Sequence, residues 1–119
     1  MKREFVPYEQ ALELKELGCN ERCFGYYVGN ELITSINDIF NSTDILIIPA
    51  PLYQQAFRWF DENTDFQGFV IDSIKECHFD WKIINLNTEE RIECEEYYST
   101  RQEAELECLK KLIEITKNK

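Results

Sequence analysis

Five cysteines and one histidine are the residues of this chain best suited to metal or covalent chemistry. Cys19-x3-Cys23 together with Cys77, His78 and Cys94 supplies enough thiolates and imidazole for a zinc site. The spacing argues against one. No Cys-x2-Cys pair occurs, and neighbours such as Cys77 and His78 point to opposite faces of a strand. Cys19, Cys23, Cys77, Cys94 and Cys108 read instead as reduced thiols, which pack as small hydrophobes when buried. His78 must also serve any Cys–His or Ser–His pair. Neither a Gly-x-Ser-x-Gly elbow nor a cysteine-protease signature accompanies it, so it reads as a strand surface residue. No metal, cofactor or catalytic residue is expected.

Phosphate chemistry needs a glycine-rich cradle or clustered cations. The four glycines (Gly18, Gly25, Gly29 and Gly68) are too scattered for that. Carboxylates are abundant. Glu89, Glu90, Glu93, Glu95 and Glu96 cluster beside Asp80 on the preceding strand candidate. Carboxylate pairs can hold hard metals or exchange protons, but a solvated sheet face explains them with less. The functional alternative is a binding patch for a basic partner.

The elements that position these groups follow from periodicity. "PYEQALELKELG" reads as a helix, with Pro7 near its start and Gly18 as its C-terminal cap. Ala11, Leu14 and Leu17 share its apolar arc. "CFGYYVGNELITSI" holds two β-rich runs that Gly29-Asn30 can join as a hairpin. "DILIIP" reads as a short strand ended by Pro49.

In "APLYQQAFRWFDEN" Pro51 suits the first helical position. With Leu52 at zero, Ala56 falls at ~40°, Phe60 at ~80°, Phe57 at ~140° and Trp59 at ~−20° around the helix. The spacing sends Leu52, Ala56, Phe57 and Phe60 into a core. Gln55 falls on the solvent arc, and Trp59 at the rim, partly exposed.

"GFVIDSI", "HFDWKIINL" and "RIECEEYY" then form three strand candidates, with "NTEE" turning the last two, so an antiparallel meander is expected. Ile92 and Cys94 alternate with Arg91, Glu93 and Glu95, which exposes the two glutamates together. In "STRQEAELECLKKLIEI", Thr100 and Glu103 make a capping box, and Ala104, Cys108, Leu109, Leu112 and Ile115 form an apolar arc.

The 119 residues amount to one ordinary domain, 1–119. A net charge of −10 disfavours direct nucleic-acid binding and adhesion to anionic membranes. No apolar run reaches the ~20 residues that span a bilayer, and "MKREFVPYEQ" lacks the apolar core of a signal peptide. A cytoplasmic protein is expected.

Three segments, "VPYEQALELKELG", "APLYQQAFRWF" and "RQEAELECLKKLIEI", resemble a group of short uncharacterised proteins from bacteriophages and prophages of Bacteroidetes. In that group a glycine closing the first helix is followed by Phe and a "CFGYY"-like strand. Cys19 stands here in place of the Phe, and Cys23 to Tyr27 match. The resemblance implies no activity, ligand or catalytic residue. It implies a phage or mobile element as the context, and a bacterial host cell as the location.

The resulting expectation is an α+β domain with a mainly antiparallel sheet of about four to six strands and three helices on one face. The expected function is that of a non-enzymatic accessory protein that binds another protein through Trp59, Glu93, Glu95, Glu96 and Tyr97. An acidic inhibitor of a basic or nucleic-acid-binding site on a host defence protein is the narrower alternative. A small enzyme is the rival from another class.

Overall fold

The computed structural model describes residues 4–19, 25–28, 31–34, 47–73, 78–94 and 96–118. The fold is α+β, with three helices and two three-stranded antiparallel sheets among these residues. The six strands thus form two sheets where the sequence suggested one. Contacts group the chain into two compact units, Met1–Ala56 and Phe57–Lys119.

In the first unit, α1 spans Tyr8–Glu16 with Pro7 as N-cap. Pro7 suits that end because its carbonyl accepts the Ala11 N–H (2.8 Å) and no donor is wasted. The other end is a Schellman turn. Gly18 takes φ +99°, its N–H donates to the Lys15 carbonyl (3.0 Å), and the Cys19 N–H donates to the Leu14 carbonyl (3.0 Å). Cys19 and Leu14, both buried, supply the apolar contact positions of that motif. Gln10, Ala11 and Leu14 form the buried stripe, while Leu17 is half-buried at the helix end.

Strands β1 (Gly25–Val28), β2 (Glu31–Ile33) and β3 (Ile47–Ala50) lie in the order β2-β1-β3. The antiparallel register Val28↔Glu31 is that of a hairpin; Gly29 and Asn30 themselves lie outside the described residues. Pro49 does not end β3. It pairs with Tyr26 on an edge strand, where a missing N–H need not break the ladder. The Tyr27 hydroxyl donates to the buried Val6 carbonyl at 2.9 Å, and burial raises its pKa.

Helix α2 spans Tyr53–Asn63 and its residues fall in both units. Its start lies two residues later than the sequence suggested. Leu52 is the N-cap, and its N–H donates to the Gln55 side-chain oxygen (3.0 Å), one arm of a capping box. Gln55 therefore has a structural task that its place on the polar arc concealed. Tyr53, Ala56, Trp59 and Phe60 are buried, whereas Leu52 and Phe57 are half-buried. The buried stripe is thus rotated from the expected one, and Phe57, not Trp59, occupies its rim.

In the second unit, Thr64 turns α2 into the next strand. Its hydroxyl donates to the Phe60 carbonyl (2.6 Å) and accepts the Phe66 N–H (3.1 Å). Strands β4 (Phe66–Ser73), β5 (His78–Asn85) and β6 (Arg91–Glu93) form the antiparallel meander expected from the sequence. α3, Arg101–Lys117, is capped by Thr100, whose hydroxyl oxygen accepts the Glu103 N–H (3.2 Å). The core of this unit lies between α3 and one sheet face. Trp81 and Ile83 are buried there with Ala104, Cys108, Leu109, Leu112 and Ile113. Ile113 replaces Ile115 in the expected arc, because Ile115 sits in the last turn and is only half-buried.

The β5–β6 turn holds a strained residue. Asn85 accepts the Asn87 and Thr88 N–H groups on its side chain (2.9 and 3.2 Å), and Glu89 is forced to φ 64°. A left-handed conformation costs an L-residue about 1–2 kcal/mol. Glu89→Gly is therefore expected to raise stability by up to ~1 kcal/mol in thermal unfolding, after the entropic cost of glycine. A loss of stability would show that Glu89 is held by contacts worth more than its strain.

Candidate functional site

The meander turns one face to α3 and leaves the other open. Gly68 marks the helix side, since a Cβ there would meet Leu112 Cδ1 at 2.9 Å and Cys108 Sγ at 3.0 Å. Opposed residues of an antiparallel sheet share a face, so the registers assign the open face. It carries Gln67–Ile84–Arg91, Phe69–Lys82–Glu93 and Ile71–Asp80 as successive rows, with His78 beyond.

The face is mixed in chemistry. Phe69 and Ile71 are each 39% exposed, although this side was expected to be charged. Glu93 pairs with Lys82 at 3.4 Å, with Arg91 on the same side of β6. The acidic run is thus interleaved with cations on the described part of this face. Such exposed pairs contribute little to stability, typically ~0–1 kcal/mol.

Beside this face the chain departs from the expected strand. β6 ends at Glu93, and Glu95 lies outside the described residues. Cys94 N–H still donates to the Trp81 carbonyl (3.2 Å), while the Trp81 N–H goes to Cys94 Sγ (3.3 Å) in place of a carbonyl. Further along, Phe79 and Tyr98 exchange both backbone bonds at 2.9 Å. Between these two anchors, the described Glu96 and Tyr97 stand opposite Asp80 alone. Extra chain length on one strand must bulge outward. Glu96 and Tyr97 are accordingly exposed, and Tyr97 reaches 68%. Its ring lies against His78, with centroids 4.0 Å apart and planes tilted by 39°. Asp80 Oδ1 is buried beneath with no hydrogen-bond partner among the described residues.

Of the five expected binding residues, Glu93, Glu96 and Tyr97 are exposed, with Glu93 opposite Lys82 on the open face and Tyr97 against His78 further along. Trp59 does not belong to the surface. It is 8% exposed and makes an edge-to-face contact with Phe60 at 5.0 Å. Packing covers the side of the helix that carries it, where the sequence set a partly exposed rim.

No protein family, curated protein or solved structure matches the chain.

Other described groups are engaged in packing and hydrogen bonding. Cys19 and Cys108 are buried and Cys94 is half-buried, while Cys23 and Cys77 lie outside the described residues. Burial pushes the Cys108 thiol up to about 12, so it stays protonated and is a poor nucleophile. A depression of about 430 Å³ at the ends of α2 and α3 is lined by Glu62, Asn63, Thr64, Asp65, Phe66 and Thr116. The hydroxyls of Thr64 and Thr116 there already donate to the Phe60 and Leu112 carbonyls. Among the described residues no group of three or more His, Cys, Asp and Glu is placed to hold a metal ion. No helix among them is long and apolar enough to cross a membrane.

The open face and the bulge were only partly visible in advance. Phe69 and Ile71 were missed because a β-branched and aromatic run carries no sign of which face is covered. Their alternation with Gly68, a residue too small to fill a core, is the signal that could have found them.

Proposed function

We propose that the protein is a non-enzymatic accessory protein of a phage or mobile element, and that it acts in the bacterial cytoplasm by binding another protein. The observation that carries this reading is Tyr97, 68% exposed yet set with its ring against His78 and next to the Phe79–Tyr98 bridge. An exposed aromatic that is already ordered loses little conformational freedom on binding, which is what interface anchors require. Glu93 and Glu96 are exposed and suit a partner with basic groups. The phage context rests on the resemblance of the helical segments.

The narrower reading, an acidic inhibitor that occupies a nucleic-acid site, draws on the net charge of −10. Lys82 and Arg91 on the same face weigh against imitation of a phosphate backbone.

The test is capture of a partner from host lysate with the tagged full chain, followed by affinity measurement on the purified pair. Tyr97→Ala should weaken binding about tenfold or more. Glu93→Gln with Glu96→Gln should weaken it less and flatten its salt dependence, since exposed charges act within ~8 Å at physiological salt. Affinity unchanged by both variants would sink the proposal for this surface.

A further inference from the structure

The outer edge of β4 has the chemistry of an unfinished sheet. β4 pairs with β5 without interruption from Phe66↔Asn85 to Ser73↔His78, and no described strand lies on its other side. The direction of its free groups follows from β5. Trp81, opposite Val70, turns its N–H and carbonyl to Cys94; Phe79, opposite Asp72, turns both to Tyr98. In an antiparallel ladder the residues opposite such groups send their own N–H and C=O outward. Val70 and Asp72, and by the same alternation Gly68, therefore present donors and acceptors along the open edge. Edges of this kind are ordinarily blunted by lysine, proline or a bulge. Phe66 to Ile71 carry none of these and no charged side chain.

We propose that this edge pairs with the same edge of a second copy of the chain, antiparallel, about a two-fold axis through Val70. This goes beyond the accessory-protein reading and does not depend on it, because Tyr97 and Glu96 lie toward the opposite side of the sheet. Charge selects the occupant and the register. Two chains of net charge −10 repel over most of their surfaces, but this strip is neutral. With the axis at Val70, the first charge met, Asp72, faces Gly68 of the other copy. An axis at Asp72 would oppose two carboxylates. An axis at Gly68 would drive the edge into the Thr64 turn, whose hydroxyl is already bonded to Phe60 and Phe66. At Val70 the residue pairs 70–70, 68–72 and 72–68 add about six hydrogen bonds. Phe69 then meets Ile71 of the other copy at the closer, non-hydrogen-bonded spacing of ~4.5 Å, which covers two side chains that are 39% exposed in the single chain.

The experiment is sedimentation velocity on the full chain across a concentration series, with amide hydrogen exchange on the same samples. The wild type should approach twice its 14.2 kDa mass as concentration rises. The amides of Gly68, Val70 and Asp72 should gain at least tenfold protection as it does, while those of Phe69 and Ile71, bonded to β5, stay protected throughout. Ile71→Lys and Phe69→Lys place a charge on a solvent-facing position and should leave a single-chain mass with the circular dichroism unchanged. Should either variant misfold, the other variant and the wild-type exchange pattern decide the matter. A wild type that stays at single-chain mass throughout overturns the proposal. So does a dimer that survives the lysine variants, or one in which the three outward amides remain open.

Discussion

Phe60→Ala is expected to remove about 3–5 kcal/mol of stability, and to lower the melting midpoint by roughly 10–20 °C. Phe60 is 0% exposed, its ring meets Trp59 edge-to-face at 5.0 Å, and it lies at the centre of the buried arc of α2. Truncation leaves a cavity whose walls are held by helix hydrogen bonds, so the site can close only in part. Phe57→Ala removes the same atoms from a half-buried rim position and should cost clearly less. Gln54→Ala, on the exposed arc, should be close to neutral. Gln55→Ala should not be, because its side chain caps Leu52. Urea unfolding of the four variants measures the order directly. Equal losses at Phe60 and Phe57 would mean that the stripe has been assigned the wrong centre.

Gly68→Val should be the second most damaging change, at about 1–3 kcal/mol or more. The added Cβ alone would come within 2.9 Å of Leu112 and 3.0 Å of Cys108, both fully buried. The branched methyls of valine worsen the overlap, and α3 must lift or its side chains must leave their rotamers. β-propensity works in the opposite direction, since valine favours strands and glycine does not. Unfolding by thermal circular dichroism decides which effect prevails. A stabilised Gly68→Val protein would show that α3 does not press on β4 at this point.

These two sites illustrate what the sequence carried and what it withheld. The helices were legible because each has a periodic stripe and chemical punctuation: Gly18 ends one, and Thr100 with Glu103 starts another. The meander was legible from alternation, since Trp81 and Ile83 recur on one side of β5. The centre of the α2 stripe was harder to place. Trp59 and Phe57 flank that stripe almost symmetrically, and only tertiary packing decides which rim is covered. The division into two sheets left no local trace, because strand pairing across sequence distance is not written in periodicity. Of the candidate site, Glu93, Glu96 and Tyr97 were singled out from charge and aromatic character. The bulge that exposes the last two is a matter of register against β5, set by the Phe79–Tyr98 bridge, and a single strand read alone does not show it.

The end of α1 makes a demand of a different kind from that at Gly68. Nothing stands within 4 Å of where a Cβ would project from Gly18, yet its φ is +99°. The constraint there is handedness and not volume. A mirror-image residue such as D-alanine, introduced by chemical synthesis, fits that torsion naturally and meets no neighbour, whereas L-alanine in the same empty space must adopt a disfavoured backbone. At Gly68 it is bulk that an L-residue cannot bring, since its Cβ would meet Leu112 and Cys108. Two residues written with the same letter are therefore held in place by unrelated restrictions: one position excludes a stereochemistry, the other a size.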